Sequence, residues 1–281
     1  MGIIEINAYN LEEYMDILGV DLAENVGRKG YRALALDEKA GNLIMWKSAP
    51  LKGSEMVSDI LFFEASERSL GKELLVELVR SSSEQGIKKY HFTLTGINDV
   101  ELGLLKSFGF SVKRTESRDV FSSLADIQLT TLKAVPDTIK PVSLNMLTYP
   151  EFRQQLTASL LKAKRGANHD IADLPMRWYD QDLSCAMLRD GEGGGLFLIH
   201  VLPSGALHPV FLNSNGTEPI KDMLVMIRYS LGQALKKYPS DRLIRIGRRN
   251  SDIKALVDKL LGEKRISTVF EGEVDFNKMM K

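Results

Sequence analysis

The chain holds 281 residues, enough for about two domains at roughly 100–200 residues apiece. Its 44% apolar and 26% charged content excludes a disordered segment and a membrane-embedded one, and 37 Lys and Arg against 37 Asp and Glu leave no net field to draw it to nucleic acid or an anionic bilayer. A single cysteine, Cys185, excludes an internal disulfide framework and a cysteine-based zinc site. The four histidines, His91, His169, His200 and His208, are scattered, so no metal is expected. The opening Met-Gly-Ile-Ile-Glu-Ile-Asn lacks the basic start and apolar run of a signal peptide, and no apolar stretch approaches the ~20 residues that span a bilayer. The expected compartment is therefore the cytoplasm, with no membrane partner, and Asn215-Gly216-Thr217 reads as a turn rather than a glycosylation acceptor. Residues 1–150 carry 17 basic and 21 acidic side chains and residues 151–281 carry 20 and 16, a difference in the range of ordinary surface variation.

In chain order, residues 3–9 read as a strand and 10–19 as a helix with Asn10 at its N-cap and Glu12 and Glu13 in its first turn. Strands are expected at Tyr31–Asp37 and Leu43–Ser48, joined by a turn over 38–42, and again at Met56–Phe63. Leu70, Leu74, Leu75, Leu78 and Val79 make one apolar stripe, predicting a helix over Gly71–Gln85 that Gly86 stops. Then come a strand at Ile87–Leu94, a helix at Asp99–Ser107 and closing strands at Phe110–Val112 and Asp119–Ser122. Residues 130–142 hold two prolines and no periodicity, as a domain connection does. The pattern then restarts. Asn7-Ala-Tyr-Asn-Leu-Glu-Glu-Tyr14 finds its counterpart in Asn145-Met-Leu-Thr-Tyr-Pro-Glu-Phe152. A helix over 150–163, strands at Ser184–Leu188, Leu196–Leu202 and Ala206–Leu212, a long helix at Ile220–Lys237, a strand at Arg242–Ile246, a helix at Asp252–Leu261 and closing strands over Ile266–Phe276 follow. The glycine run 191–195 reads as a hairpin connection. The repeated order predicts two α/β (α+β) domains, 1–128 and 143–281, joined by 129–142.

One stretch goes further. It comprises Ile60-Leu-Phe-Phe-Glu-Ala-Ser-Glu-Arg-Ser-Leu-Gly-Lys-Glu-Leu-Leu75, then Gly86-Ile-Lys-Lys-Tyr-His-Phe-Thr-Leu94, Asn98 and Leu104-Leu-Lys-Ser-Phe-Gly-Phe110. It resembles the GNAT family of acyl-CoA-dependent N-acyltransferases over roughly the first 125 residues, and the second half does so more faintly. The resemblance implies a tandem pair of GNAT-like domains, each a mixed, mostly antiparallel twisted sheet flanked by helices. It also implies acetyl-CoA as co-substrate, an amine of a small molecule or peptide as acceptor, and room for a homodimer. In the family a Gln/Arg-x-x-Gly-x-Gly/Ala turn opens the long helix. One register puts Ser66, Ser69 and Gly71 on its three marked positions, and a second puts Arg68, Gly71 and Glu73 there. The coenzyme-binding residues implied are Leu61, Phe62, Phe63, Ser66, Glu67, Arg68, Ser69, Leu70, Gly71, Lys72 and Asn98. The free amides of a helix's first turn and its dipole attract a pyrophosphate, small residues let it approach, and Arg68 and Lys72 add charge, while Glu64 and Glu67 oppose it. A plain N-capped helix, with Ser66 or Ser69 as the cap, is the alternative.

For catalysis, Glu55 and Asp59 share one face of their strand and are the candidate bases, against a reading as a solvent-facing edge. Tyr90 and His91 are left unassigned. The tyrosine acid frequent in the family falls on Leu105, which has no proton to give, and its second-half counterpart falls on Asp258. After Phe211 the second half has no glycine cradle and sets Pro219 at the start of its helix, so it is expected to bind acyl-CoA poorly. Residues 245–249 read as a solvated basic face, and His169-Asp170 with Trp178-Tyr179 either as packing or, as the resemblance implies, as lining of an acceptor pocket. Three functions remain open: an N-acetyltransferase, an inactive tandem module that binds CoA or a partner, and a small-metabolite sensor or assembly protein.

Overall fold

The computed structural model describes residues 2–36, 41–50, 55–128, 140–162, 169–189, 192–248 and 251–276. The turn at 38–40, Gly53-Ser54, most of the expected connection (129–139), Gly191, Arg249 and the side chains of His169 and Asp170 lie outside what is described. The chain divides into two compact units. The first comprises Met1–Ser117 with Ser267–Lys281, and the second Arg118–Ile266.

The first unit is built from β1 (Ile3–Glu5), α1 (Met15–Leu18), α2 (Val20–Ala23), β2 (Tyr31–Leu36), β3 (Leu43–Pro50), β4 (Met56–Glu64), α3 (Arg68–Ser83), β5 (Lys89–Leu94), α4 (Asp99–Ser107) and the start of β6 (Ser111–Ser123). The second contains β7 (Val142–Ser143), α5 (Tyr149–Lys162), β8 (Cys185–Arg189), β9 (Glu192–Val201), β10 (Leu207–Ser214), α6 (Pro219–Lys237), β11 (Leu243–Gly247) and α7 (Ser251–Leu260), and β12 (Arg265–Asp275) ends the chain. In the first unit β1, β2, β3 and β4 pair antiparallel in turn, β4 and β5 run parallel, and β12 lies antiparallel on the far side of β5. In the second, β7 to β10 are antiparallel neighbours, β10 and β11 are parallel, and the last residues of β6 pair antiparallel with β11. The order strand–helix–strand–helix–strand occurs in both, but the closing strands are exchanged. The strand after α4 completes the second unit, and the strand after α7 completes the first.

The helices form where the apolar stripe requires them. Leu70, Leu74, Leu75 and Leu78 of α3 are buried against Ile60, Phe63, Tyr90 and Phe92 of the sheet, each worth roughly 1.5–3 kcal/mol in water-excluded area. Gly86 takes φ 75° and ends α3, with the Ile87 amide returning to the Ser82 carbonyl. The opposite sheet face carries a smaller core, Ile6, Leu18, Ala23, Ala33, Ala35, Leu43 and Met45, with Phe62 packed on it.

Several elements differ from the sequence reading: β1 ends at Glu5 rather than at residue 9, and Arg265–Asp275 is one strand rather than two. Residues 10–19 form a 3-10 turn at Leu11–Tyr14 and then only the short α1, because Gly19 (φ 72°) breaks the backbone and the Asn10 carboxamide accepts from the Asn7 amide instead of capping a helix. Phe110–Val112 and Asp119–Ser122 belong to one long strand rather than two, apart from Phe110 itself, which is buried against Phe92. Residues 192–195 lie within β9, where a Cβ on Gly195 would stand 2.8 Å from the Asn213 carbonyl oxygen.

Candidate functional site

β4 bonds to β3 along its whole length, but Phe62 faces Met45 and Ile60 faces Trp46, so Leu61 is an extra residue, a β-bulge. On its other edge β4 pairs with β5 from Val57↔Lys89 to Ile60↔Phe92 and no further. β5 continues beyond that point, bonded to β12 as far as Leu94↔Phe270. The two parallel strands therefore part at the bulge and leave the β5 side of Leu61–Phe63 without a ladder partner among the described residues. The second unit repeats the device. β10 bulges at Val210 and shares one rung with β11, Leu207↔Ile244, while β11 stays bonded to β6 through Gly247.

The chain leaves this wedge directly into α3. Glu67 is the N-cap, in extended conformation, with no side-chain cap bond; its carbonyl accepts from the Gly71 amide at 3.1 Å. The amides of Arg68, Ser69 and Leu70 have no acceptor among the described residues. They are the orphan donors of a helix's first turn, where the dipole is positive.

No family model and no curated protein matches the sequence. Solved structures do match. A tandem GNAT protein from the clavulanic acid biosynthesis pathway, solved without acetyl-CoA, aligns over 96% of this chain and 98% of its own with a TM-score of 0.66 and 9% identity. A GCN5-related N-acetyltransferase from Kribbella flavida aligns over 86% of each chain (TM-score 0.51, 10% identity). An Enterococcus faecalis protein of unknown function aligns over 96% of this chain and 72% of its own (TM-score 0.51, 13% identity). This chain has a tandem GNAT fold.

Within that GNAT fold the residues named from the sequence take distinct places. Ser66, Glu67, Arg68, Ser69 and Lys72 are exposed at the helix start, and Arg68 and Lys72 have no ion-pair partner among the described residues. Ser66 is held down, because its amide (3.0 Å) and its hydroxyl (3.1 Å) both donate to Asn42 Oδ1. Phe63 and Leu70 belong to the core under α3, and Phe62 to the core on the other face. Gly71 is buried, and its missing side chain is accounted for by packing: a Cβ there would stand 2.6 Å from Leu104 Cδ1 and 2.7 Å from Ala65 Cβ. Asn98 caps α4 in a capping box, its Oδ1 accepting from the Glu101 amide at 2.9 Å while Glu101 Oε2 accepts from the Asn98 amide at 2.9 Å. The other Glu101 oxygen accepts from the Ala65 amide at 3.0 Å, so one buried carboxylate ties the β4–α3 turn to the start of α4. Burial, with the Glu101 charge as a second cause, holds the Glu64 carboxyl above the usual carboxylate range.

The candidate bases stand on the sheet face away from α3. Ser58 points toward α3, where its hydroxyl meets that of Ser82, and Ile60 is in the core beneath that helix, so Asp59 between them points the other way. Glu55 accepts from Lys89 Nζ at 2.7 Å, an ion pair that raises the Lys89 pKa. Asp59 is opposite His91, with Oδ1 3.6 Å from the ring Nδ1. Tyr90 is fully buried and its hydroxyl donates to the Ile87 carbonyl, a packing role. Leu105 is likewise in the core. Two groups escaped the sequence reading. The Asn98-x-x-Glu101 spacing was a visible signal for the clamp, but the Asp59–His91 pairing depends on the parallel register, which no local pattern displays.

The second GNAT repeat closes the equivalent corner. Pro219 removes one first-turn donor, and Asp222, at the helical position matching Gly71, is fully buried with Oδ2 accepting from the Ser214 hydroxyl at 2.9 Å. The Asn215 amide donates to the Gly194 carbonyl (2.7 Å), the Gly216 amide to Ser214 Oγ (3.2 Å), and the Asn213 carboxamide to the Ser159 carbonyl (3.2 Å). The basic stretch at 245–248 is partly spent on its own unit, since Arg245 pairs with Asp119 on β6. Trp178 stacks flat on His200 at 3.5 Å, which fits the packing reading. Among the described residues no three His, Cys, Asp or Glu side chains gather to hold a metal, and no helix is long and apolar enough to cross a membrane.

Proposed function

We propose that this protein is an acyl-CoA-dependent N-acyltransferase whose first unit holds acetyl-CoA and whose acceptor is an amine of a small molecule or peptide. The observation that carries the reading is the parting of β4 and β5 after Ile60, set directly before a helix start with three amides that meet no acceptor among the described residues. A pantetheine-like arm needs a slot between strands, and a diphosphate needs free amides with positive charge near them. Leu61–Phe63 line the first, and Arg68, Ser69 and Leu70 with Lys72 offer the second. Ser66, Glu67, Gly71 and Asn98 shape the turn rather than meet the ligand: Ser66 through Asn42, Glu67 and Gly71 through the first helical bond, Asn98 through its cap. The second unit, stitched by Asp222 and Ser214, holds no coenzyme.

When bound, the coenzyme supplies an activated acyl thioester. The unpaired β4 backbone past Ile60 can orient its carbonyl, and the face carrying Asp59 receives the amine. With Leu105 buried in the acid's place, a reading as a non-catalytic CoA binder shares the same site.

Thermal unfolding with and without acetyl-CoA tests this. At about 100 times Kd, binding adds about 2.7 kcal/mol of stability. The variant carrying Arg68→Glu and Lys72→Glu is expected to unfold as the parent does without ligand and to lose the ligand-induced shift. No shift in the parent removes both readings. A shift without thiol release across an amine panel leaves the binder.

A further inference from the structure

We propose that His91 is the general base that deprotonates the acceptor amine, held in position by Asp59 across the β4/β5 pair; this rests on the acyltransferase reading and names the group that reading leaves open. Three observations converge on it. Asp59 and His91 are register partners on the rung next to Ile60↔Phe92, the last before the strands part. Their side chains share the face away from α3, because Tyr90 and Phe92 on either side of His91 are buried in the α3 core. The ring is both anchored and reachable. Nδ1 lies 3.6 Å from Asp59 Oδ1 and Nε2 lies 3.8 Å from Glu273 Oε2, and the His91 side chain keeps 33% exposure. Catalytic pairs are often this long in the absence of substrate.

The alternatives on the same face are engaged otherwise. Glu55 is bound to Lys89, and Lys89 also lies 4.0 Å from Asp275. The charged groups around the imidazole are Asp59 on β4, Glu273 on β12, Lys89 on its own strand, and Lys47, which faces Asp59 from β3. The acids prevail. Asp59 beside the ring first, and then the charge of Glu273, raise the His91 pKa above its ordinary value against burial and Lys89. A base whose pKa is raised accepts a proton more readily. In the step itself the imidazole takes one proton from the acceptor ammonium and later gives it to solvent. The nitrogen lone pair forms the C–N bond as the C–S bond breaks, and the second nitrogen proton goes to the departing sulfur.

The test measures binding and turnover separately on the full chain. Acetyl-CoA binding is followed by calorimetry. Turnover is followed as thiol release against spermidine, free lysine, tyramine and a lysine-containing peptide from pH 5.5 to 9. His91→Gln is expected to keep the acetyl-CoA Kd within about twofold, to lower kcat about 100-fold or more, and to lose the acid limb of the pH profile. Asp59→Asn is expected to move that limb to lower pH, since it removes the main cause of the raised pKa. The proposal is overturned if His91→Gln keeps the parent's kcat or its acid limb, if it loses coenzyme binding along with turnover, or if the parent binds acetyl-CoA and acylates none of the four amines. If the parent does not bind acetyl-CoA at all, the acyltransferase reading fails first and the base assignment falls with it.

Discussion

A methyl group at position 71 decides between two explanations of the same glycine. Helix propensity alone favours Gly71→Ala by about 1 kcal/mol. The added Cβ would meet Ala65 Cβ at 2.7 Å and Leu104 Cδ1 at 2.6 Å, and overpacking a filled core costs about 1–3 kcal/mol. The net change is expected to be destabilising, seen as a lower urea midpoint with the slope unchanged. A higher midpoint would show that Gly71 does not serve packing. Glu101 is the second residue with a sharp consequence. Glu101→Gln keeps the volume but leaves one oxygen for two amides, Ala65 and Asn98, and an unsatisfied buried donor costs about 1–3 kcal/mol. A loss of that size in chemical denaturation, with weaker acetyl-CoA binding because the turn loosens, is expected. His91 gives a pH signature. Its folded pKa is raised, so the stability it contributes is fully present below its unfolded pKa, about 6.5, and fades as pH rises through the folded value. The stability gap between the parent and Asp59→Asn is therefore expected to be wider at about pH 6 than at about pH 8.5. A gap that grows with pH would contradict the pairing.

At the scale of elements, the bulge and the exchanged strand matter most. Leu61 adds a residue to β4 but not to β3, which bends β4 away from β5 after Ile60. The same feature at Val210 in β10 indicates that the fold builds a wedge twice, whatever each wedge holds. β12 covers the far edge of β5, with Phe270 and Val274 in or against the α3 core. A chain ending at Ile266 would expose that edge and part of that core. Unpaired strand edges template aggregation, so such a chain is expected to elute as aggregate in gel filtration. A monodisperse, cooperatively folded product would show that β12 is dispensable to the first unit.

For the molecule as a whole, the two units carry the same order of elements and unequal sites. In the first, the amides of Arg68, Ser69 and Leu70 meet no acceptor among the described residues. The second fills the matching corner with the Asp222 carboxylate and the Ser214 hydroxyl. Titration calorimetry is expected to give one acetyl-CoA per chain. Two equivalent sites would mean that the Asp222 network opens, and a site lost on Asp222→Ala but kept on Arg68→Glu would place the ligand in the second unit.

Much of this was written in local pattern. The leucine stripe of α3, the Asn98-x-x-Glu101 cap of α4, and the strand spacing on both sides of residues 129–142 follow from periodicity and turn chemistry, which neighbouring residues impose on one another. The family resemblance likewise rests on a continuous stretch, Ile60–Phe110. Other features needed the folded chain. That β12 closes the first unit, that Gly71 is a packing residue, that Asn42 restrains Ser66, and that Asp59 meets His91 all join residues far apart in sequence. Strand register and side-chain contact are properties of pairing across space, and a one-dimensional pattern does not specify its partners.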